Sequence, residues 1–187
     1  SIWAAEEVGL DYEHVPTNFA KDAKSEEYLA VNPNGRIPAL VDGDMLLCES
    51  MAINLYLAKN YGSNLYPQSP TAEAQAWQWS VWGISEIEPL QMQIVVQRFF
   101  TPEERRDAAV TARAEKGLAR PLAVLNDALS EQAYLLGDEF SIADLNVAAV
   151  MLLLEMVGFD MGNWPNVQAW LQRCYGRDSL AAARKRA

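Results

Sequence analysis

The sequence is poor in the residues from which catalytic triads, zinc sites and disulfide frameworks are built. Its 187 residues include one histidine, His14, and two cysteines, Cys48 and Cys174, which lie far apart along the chain. A histidine-based metal site and a Ser-His-Asp triad therefore lack their components. With so few cysteines we expect no disulfide framework, no metal, and a reducing, cytoplasmic location.

The chain is also short of positive charge and of long apolar runs. Its 15 Lys and Arg residues face 25 Asp and Glu residues, which gives a formal net charge of −10. This excess of carboxylates opposes binding to a phosphate backbone, so we predict no nucleic-acid partner. No apolar run reaches the roughly 18 residues of a membrane-spanning helix, and the opening SIWAAEE is acidic, unlike a signal peptide. We therefore predict no membrane partner.

The sequence changes character near residue 65. Up to that point short helical and strand patterns alternate, which is typical of an α/β domain. Helices are predicted over residues 2–8, 24–30 and 51–61, and strands over 12–15, 39–41 and 45–47, the last two joined by Asp42-Gly43. Residues 62–70 are rich in Gly, Ser, Asn and Pro and are predicted to form a linker. We therefore predict one domain at 1–65 and a second at 71–187.

The second domain follows the 3.6-residue spacing of helices throughout. Thr71 and Thr101 are each predicted to cap a helix, and Pro121 to interrupt and kink the second of these. Further helices are predicted over 141–157, 166–174 and 179–186. Ser141 and Asp144 have the spacing of a capping box, which we interpret as a stable helix start without chemistry. The predicted fold class is α/β followed by all-α.

Residues 32–50, NPNGRIPALVDGDMLLCES, contain features that suit a small peptide ligand. Pro38 stands where a strand begins, and a cis Ile37–Pro38 bond would leave the main chain of Ile37 free to pair with an extended peptide. The commoner alternative is a trans proline at a strand edge.

The charged and hydroxyl residues of this stretch suggest what such a peptide carries. Glu49 and Ser50 precede the helix at 51–61, where free N–H groups favour an anion, and together they suit an α-amino-acid end. Alternatively, Ser50 only caps the helix and Glu49 is a first-turn acid. Arg36 would hold a second carboxylate, or is a solvated loop charge. The combination predicts an extended, dianionic peptide with one free amine.

These residues carry a resemblance to the cytosolic glutathione transferase family. The stretch NPNGRIPAL at 32–40, Asp42-Gly43 and ESMAI at 49–53 resemble its glutathione-binding region. The resemblance continues in WAAEEVGL at 3–10, LYP at 65–67 and FSIAD at 140–144, so that it spans nearly the whole chain in the right order.

The resemblance implies a role for each residue of the stretch. Ile37, with Pro38 in cis, would pair with the cysteinyl part of glutathione, the co-substrate. Glu49 and Ser50 would hold the γ-glutamyl end, and Arg36 would lie near the glycyl carboxylate. The implied fold is a thioredoxin-like domain followed by a helical bundle, in a bacterial-type, cytoplasmic detoxification enzyme that forms a homodimer.

The resemblance also implies that a catalytic element is missing. Relatives begin with a strand and a loop whose serine, tyrosine or cysteine stabilises the glutathione thiolate, the nucleophile. By that layout the chain starts inside the following helix, so we expect the N-terminal strand and the catalytic loop to be absent. Ser1 and Tyr12 are misplaced for this role, and the catalytic residue is unknown.

Family members bind the second substrate, a hydrophobic electrophile, in an apolar cleft between the domains. The candidates here are Trp82, Met92, Val96 and Phe99, with Phe100 beside them. A tryptophan on a helix packs in a core more often than it lines a pocket, which is the alternative for Trp82.

The predicted activity is glutathione transfer, in which the thiolate attacks an electrophilic carbon. Two alternatives stay open: a glutathione-dependent disulfide reductase or peroxidase on the same fold, and a non-catalytic binding module. A cysteine in the absent loop would favour the redox alternative, and degraded ligand residues would favour the non-catalytic one.

Overall fold

The computed structural model describes residues 1–62 and 64–186, and in it the chain forms two compact units. The first unit comprises Ser1–Tyr66 with the C-terminal segment from Arg177, and the second comprises Pro67–Gly176. The elements, in chain order, are α1 (Ile2–Glu7), α2 (Glu26–Val31), β1 (Ala39–Asp42), β2 (Met45–Cys48), α3 (Ser50–Tyr61), α4 (Pro70–Trp82), α5 (Glu88–Val95), α6 (Ala108–Ala128), α7 (Ile142–Met156), α8 (Pro165–Tyr175) and α9 (Asp178–Arg186).

The predicted order of an α/β part followed by an all-helical part is confirmed. The first unit combines the β1–β2 sheet with helices, and the second unit is helical apart from a single bridge between Tyr134 and Gly137 in the described residues. The predicted limits of 1–65 and 71–187 stay a prediction, and the structure adds that α9 groups with the first unit.

The first helix ends at Glu7, one residue before the predicted limit of 2–8, and Gly9 follows its cap residue Val8. Gly9 has a positive φ of 68°, a conformation that glycine adopts without steric cost. Its N–H donates to the carbonyl of Glu6, and the N–H of Leu10 donates back to the carbonyl of Ala5. These bonds satisfy carbonyls that the end of a helix leaves free.

The β1–β2 hairpin has the predicted tight turn, displaced by one residue. Ala39 pairs with Cys48 and Asp42 with Met45, so the two loop residues are Gly43 and Asp44 rather than Asp42 and Gly43. Gly43 has φ of 58°, as the first central residue of a type II′ turn requires. The side chain of Asp42 accepts hydrogen bonds from Tyr56 (2.8 Å) and Tyr61, which tie the hairpin to α3.

The strand predicted at 12–15 is wrong, since Tyr12–Val15 is not part of a ladder. Burial still alternates there: Tyr12 and His14 are half-buried, and their neighbours are exposed. The segment therefore has the two-residue period of a strand, but no strand of the described residues lies beside it to share hydrogen bonds.

Two predicted helix starts in the second unit are wrong by a few residues. Helix α4 is capped by Ser69, whose hydroxyl accepts from the N–H of Ala72 at 3.2 Å, and Thr71 lies inside the helix. Residues after Thr101 form only a short 3₁₀ turn, and α6 begins after Asp107, whose carboxylate accepts from the N–H of Ala109 at 2.8 Å. In each case another side chain, that of Ser69 or that of Asp107, caps the free N–H groups at the start of the helix.

Pro121 does not interrupt α6, which runs unbroken from Ala108 to Ala128 with Pro121 buried inside it. The prediction of an interruption is therefore wrong. Packing of the apolar face of α6, including Leu118, Leu122 and Leu125, which are all fully buried, outweighs the loss of one helical hydrogen bond.

The core of the helical unit is organised around α7. Its Asn146 donates to the hydroxyl of Ser80 on α4 at 2.8 Å, and Gln91 on α5 donates to the carbonyl of Val150 at 2.9 Å. Asp144, at the start of α7, is fully buried and accepts from the N–H of Ser141 at 2.9 Å, which confirms this contact of the predicted capping box. These polar contacts fix α7 against its neighbours.

The last helix, α9, packs on α1 within the first unit. The indole N–H of Trp3 donates to the hydroxyl of Ser179 at 3.0 Å. The guanidinium of Arg177 donates twice to the carboxylate of Glu7, once at 3.0 Å, and Ser179 donates to the same carboxylate. The ion pair is bidentate, and the side chain of Glu7 is only 11% exposed.

Candidate functional site

The hairpin places the predicted peptide-binding residues at one end of the sheet. Because Ala39 is the Cα partner of Cys48, the residues just before β1 and just after β2 lie at the same end. Opposite residues in an antiparallel pair are about 4.5–5.5 Å apart at Cα. The Ile37-Pro38 step and the Glu49-Ser50 pair therefore flank the same end of the sheet, and Arg36 precedes the step in the same loop.

The Ile37–Pro38 peptide bond is cis, as predicted. The side chain of Ile37 is 44% exposed. Among the hydrogen bonds of the described residues, none uses the N–H or the carbonyl of Ile37. This main chain is thus free to pair with an extended ligand.

Glu49 has an unusual backbone conformation at the start of α3. Its φ is 72° and its ψ is 116°, whereas a residue with a side chain rarely adopts positive φ. Such a conformation costs on the order of 1–3 kcal/mol, and residues that adopt it cluster at active sites and ligand-binding loops. Glu49 occupies the cap position and Ser50 is the first helical residue, so the alternative in which Ser50 caps the helix is wrong.

The polar groups at this end of α3 are available to a ligand. The carboxylate of Glu49 and the hydroxyl of Ser50 have no partner within the described residues. The first intrahelical bond is from the N–H of Ile53 to the carbonyl of Glu49 at 2.9 Å, so the preceding N–H groups stay open. An anion is favoured there, and the adjacent carboxylate suits an ammonium group.

The loop that carries Arg36 is held by hydrogen bonds that the sequence did not predict. The carbonyl of Arg36 accepts from the hydroxyl of Tyr28 at 2.9 Å and from the amide of Asn32 at 2.7 Å, and Lys24 donates to the carbonyl of Gly35. The side chain of Arg36 is exposed and forms no ion pair within residues 1–62 and 64–186. The sequence NPNG at 32–35 predicts the turn, but no sequence pattern links Tyr28 to the carbonyl of Arg36.

The predicted electrophile-binding residues lie on the helical unit. Trp82 ends α4 with its ring edge-on to Trp79 at 5.1 Å, and Met92 is half-buried in α5. Val96 and Phe99 lie in the π-helical segment that follows, where they are 40% and 50% exposed. The structure therefore leaves partly exposed apolar surface at these positions.

A separate open cavity of about 690 Å³ lies in the helical unit, and none of these four residues lines it. Its wall includes Arg98, Arg106, Phe159 and Trp164. In the part of the chain that the structure describes, no three His, Cys, Asp or Glu side chains form a group that could hold a metal ion. No described helix is both long and apolar enough to cross a membrane.

Two family models and several known proteins are similar to this chain in sequence. The sequence model "Glutathione S-transferase, N-terminal domain" matches residues 1–59, and "Glutathione S-transferase, C-terminal domain" matches residues 87–178. Glutathione S-transferase 3 of Zea mays is 38% identical over 93% of this chain and 82% of its own length. Glutathione S-transferase GstB of Escherichia coli strain K12 is 32% identical over 94% and 86%.

A solved structure gives the same result in three dimensions. The theta class glutathione S-transferase of Xanthomonas axonopodis pv. citri, with glutathione bound, superposes with a TM-score of 0.90. It is 32% identical, and the match covers 97% of this chain and 88% of that protein. These matches show that the chain belongs to the glutathione S-transferase family.

Proposed function

We propose that the chain binds glutathione along the open end of the β1–β2 hairpin and holds its thiolate for attack on a hydrophobic electrophile. The observation that carries this proposal is the hairpin register, which puts the free main chain of Ile37 at the same end of the sheet as the unpartnered Glu49 and Ser50. The binding of glutathione by the Xanthomonas relative supports it.

Each part of glutathione has a partner of matching chemistry. The γ-glutamyl carboxylate is bound by the hydroxyl of Ser50 and the open N–H groups of α3, and its ammonium by the carboxylate of Glu49. The cysteinyl residue pairs with the main chain of Ile37, beside Pro38. The glycyl carboxylate is bound by the guanidinium of Arg36.

The protein's contribution to the reaction is position. Glutathione held at three points presents its sulfur in one place, which replaces a bimolecular encounter with an oriented one. The thiol of glutathione gives its proton to solvent water and becomes the nucleophilic thiolate. Its sulfur forms a bond to the electrophilic carbon, and the bond to the leaving group breaks, its electron pair departing with that group. We assign no catalytic residue for stabilising the thiolate.

The electrophile is proposed to contact Trp82, Met92, Val96 and Phe99. Their partly exposed apolar side chains favour a hydrophobic molecule, because burying apolar area stabilises binding by about 25 cal/mol per Å². We also propose that the enzyme is a cytoplasmic homodimer, that it acts in detoxification and that it uses no metal. A bacterial-type enzyme is supported by the Escherichia coli and Xanthomonas relatives, although the Zea mays relative is more identical.

Retention of the full-length protein on immobilised glutathione tests the binding site. We expect Glu49→Ala and Ser50→Ala each to weaken retention, because each removes a partner of the γ-glutamyl end. The matched control is Asp44→Ala, which removes an exposed carboxylate from the turn at the other end of the hairpin. Retention of the Glu49 and Ser50 variants equal to that of the control would show that the ligand lies elsewhere.

A further inference from the structure

The peptide unit between Arg36 and Ile37 is held from one side by two side chains. Its carbonyl oxygen, on Arg36, accepts from the hydroxyl of Tyr28 at 2.9 Å and from the side-chain amide of Asn32 at 2.7 Å. Two donors on one oxygen leave it little freedom to rotate.

The same peptide unit carries the N–H of Ile37. A trans peptide is planar, and its N–H points away from its C=O. The cis bond of this loop is the next one, between Ile37 and Pro38. Fixing the carbonyl of Arg36 on Tyr28 and Asn32 therefore fixes the N–H of Ile37 in the opposite direction, where no described residue accepts from it.

Asn32 is placed to act in this way by its burial and its other contacts. It is 2% exposed, its side-chain oxygen accepts from the N–H of Asn34 at 3.1 Å, and its carbonyl accepts from the N–H of Gly35 at 2.8 Å. One residue thus closes the turn and holds the peptide that follows it. Gly35 completes the turn with φ of 59°, and a Cβ there would lie 2.9 Å from the carbonyl oxygen of Ala23.

Tyr28 reaches the same oxygen from another element. It lies on α2, whose start is fixed by Ser25, since the hydroxyl of Ser25 accepts from the N–H of Tyr28 at 3.1 Å. The ring is half-buried, and burial raises the pKa of Tyr28, with the neighbouring Cys48 adding to the increase. The phenol therefore stays protonated and able to donate throughout the neutral range.

We propose that Tyr28 and Asn32 are positioning residues for glutathione, which orient the N–H of Ile37 toward the cysteinyl main chain of the ligand. The inference rests on the proposed glutathione site and adds the residues that preorganise it. Neither side chain needs to touch glutathione. Their loss lets the peptide unit rotate, and the ligand must then restore its orientation on binding.

The test is glutathione affinity by titration calorimetry, together with steady-state kinetics of the full-length enzyme. We expect Tyr28→Phe and Asn32→Ala each to weaken glutathione binding about two- to tenfold, the range of one net hydrogen bond. The KM for glutathione should rise by the same factor, while kcat at saturating glutathione stays unchanged, because the sulfur environment is not altered. Tyr175→Phe is the matched control. It removes a hydrogen bond of the same kind in the helical unit, from the hydroxyl of Tyr175 to the carbonyl of Ala148 at 3.0 Å.

Two further arms keep the outcomes distinct. Glu49→Ala reports on the proposed site itself: if it loses glutathione while Tyr28→Phe and Asn32→Ala bind like the wild type, the positioning role is wrong and the site stands. Normal binding by Glu49→Ala would overturn the site. Tyr28→Phe deletes a single oxygen, so it decides the question if Asn32→Ala fails to fold, and a fall in kcat with unchanged KM would also contradict the proposal.

Discussion

Replacing Asp144 by asparagine tests the structural centre of the helical unit. The two carboxylate oxygens of Asp144 accept four hydrogen bonds, from the N–H groups of Leu135 (2.8 Å), Ser141 (2.9 Å) and Trp170 (2.9 Å) and from the hydroxyl of Ser141 (2.7 Å). Three of the donors are N–H groups that cannot turn around to accept. The site is therefore built for a group with two accepting oxygens.

An asparagine side chain has one accepting oxygen and one NH₂ group. Its better orientation keeps the oxygen on Leu135 and Trp170 and turns the NH₂ toward Ser141, whose hydroxyl can rotate to accept but whose N–H cannot. One buried donor is then unsatisfied, which costs about 1–3 kcal/mol, and the remaining bonds lose the strength of a charged acceptor.

The loss of charge works in the opposite direction. Burial raises the pKa of Asp144, and the hydrogen bonds from Leu135, Ser141 and Trp170 oppose that increase, so a neutral side chain recovers part of the cost of desolvation. We expect Asp144→Asn to lower the free energy of unfolding by about 2–4 kcal/mol in total.

Urea unfolding followed by tryptophan fluorescence measures this change. Ser141→Ala is the control: it removes the hydroxyl but keeps the three N–H donors, and should cost about 1 kcal/mol. A loss for Asp144→Asn within about 0.5 kcal/mol of zero, or equal to that of Ser141→Ala, would refute the argument from unsatisfied donors.

Three other predictions concern the first unit. Glu49→Gly should have a higher melting temperature than Glu49→Ala, because glycine relieves a backbone strain of about 1–3 kcal/mol at φ of 72°. Both variants should lose glutathione affinity in calorimetry, and equal melting temperatures would show that the conformation carries no strain. Arg177→Lys keeps the charge but not the two-point contact with Glu7, so it should cost about 1 kcal/mol and speed hydrogen exchange in α9, and unchanged exchange would contradict this. Burial and the hydrogen bond to Glu6 raise the pKa of Tyr12 to about 12, so its folded form favours the proton and stability should fall as pH rises from about 10 to about 12. Tyr12→Phe should lack that part of the alkaline loss in thermal unfolding at increasing pH, and an unchanged profile would argue against it.

The parts of the site that the sequence predicted are those set by short-range geometry. The Ile37-Pro38 step, the Asp-Gly turn signal and the Glu49-Ser50 pair at a helix start each act within a few residues, and the hairpin register then brings them together. Tyr28 was not predicted because its hydroxyl crosses from α2 to a carbonyl eight residues later. A main-chain carbonyl has no sequence signature, so a side chain that recognises it cannot be identified from residue type.

The helix boundaries show competition between neighbouring signals. Near residue 70 both Ser69 and Thr71 can cap, and Pro70 decides between them: it is favoured at the first helical position, where its missing N–H costs nothing, which makes the residue before it the cap. Near residue 101, Pro102 gives the same signal, but the residues that follow form only a short 3₁₀ turn. The extended Arg106, with ψ of 133°, ends that turn, and Asp107 caps the helix that begins after it. The rule that the residue before an N-terminal proline caps the helix therefore holds for Ser69-Pro70 and fails for Thr101-Pro102.

The position of α9 is the hardest part of the fold to predict, for a physical reason. Its helical pattern fixes which face is apolar, with Leu180 and Ala183 buried, but an apolar stripe has no preference among the apolar faces it could cover. What selects α1 is polar: Arg177 and Ser179 both donate to the carboxylate of Glu7, about 170 residues earlier in the chain. Pairing the wrong face would leave that carboxylate, 11% exposed, without its partners. Specificity here comes from a contact between charged groups that are individually unremarkable in the sequence, and only the folded chain shows that they meet.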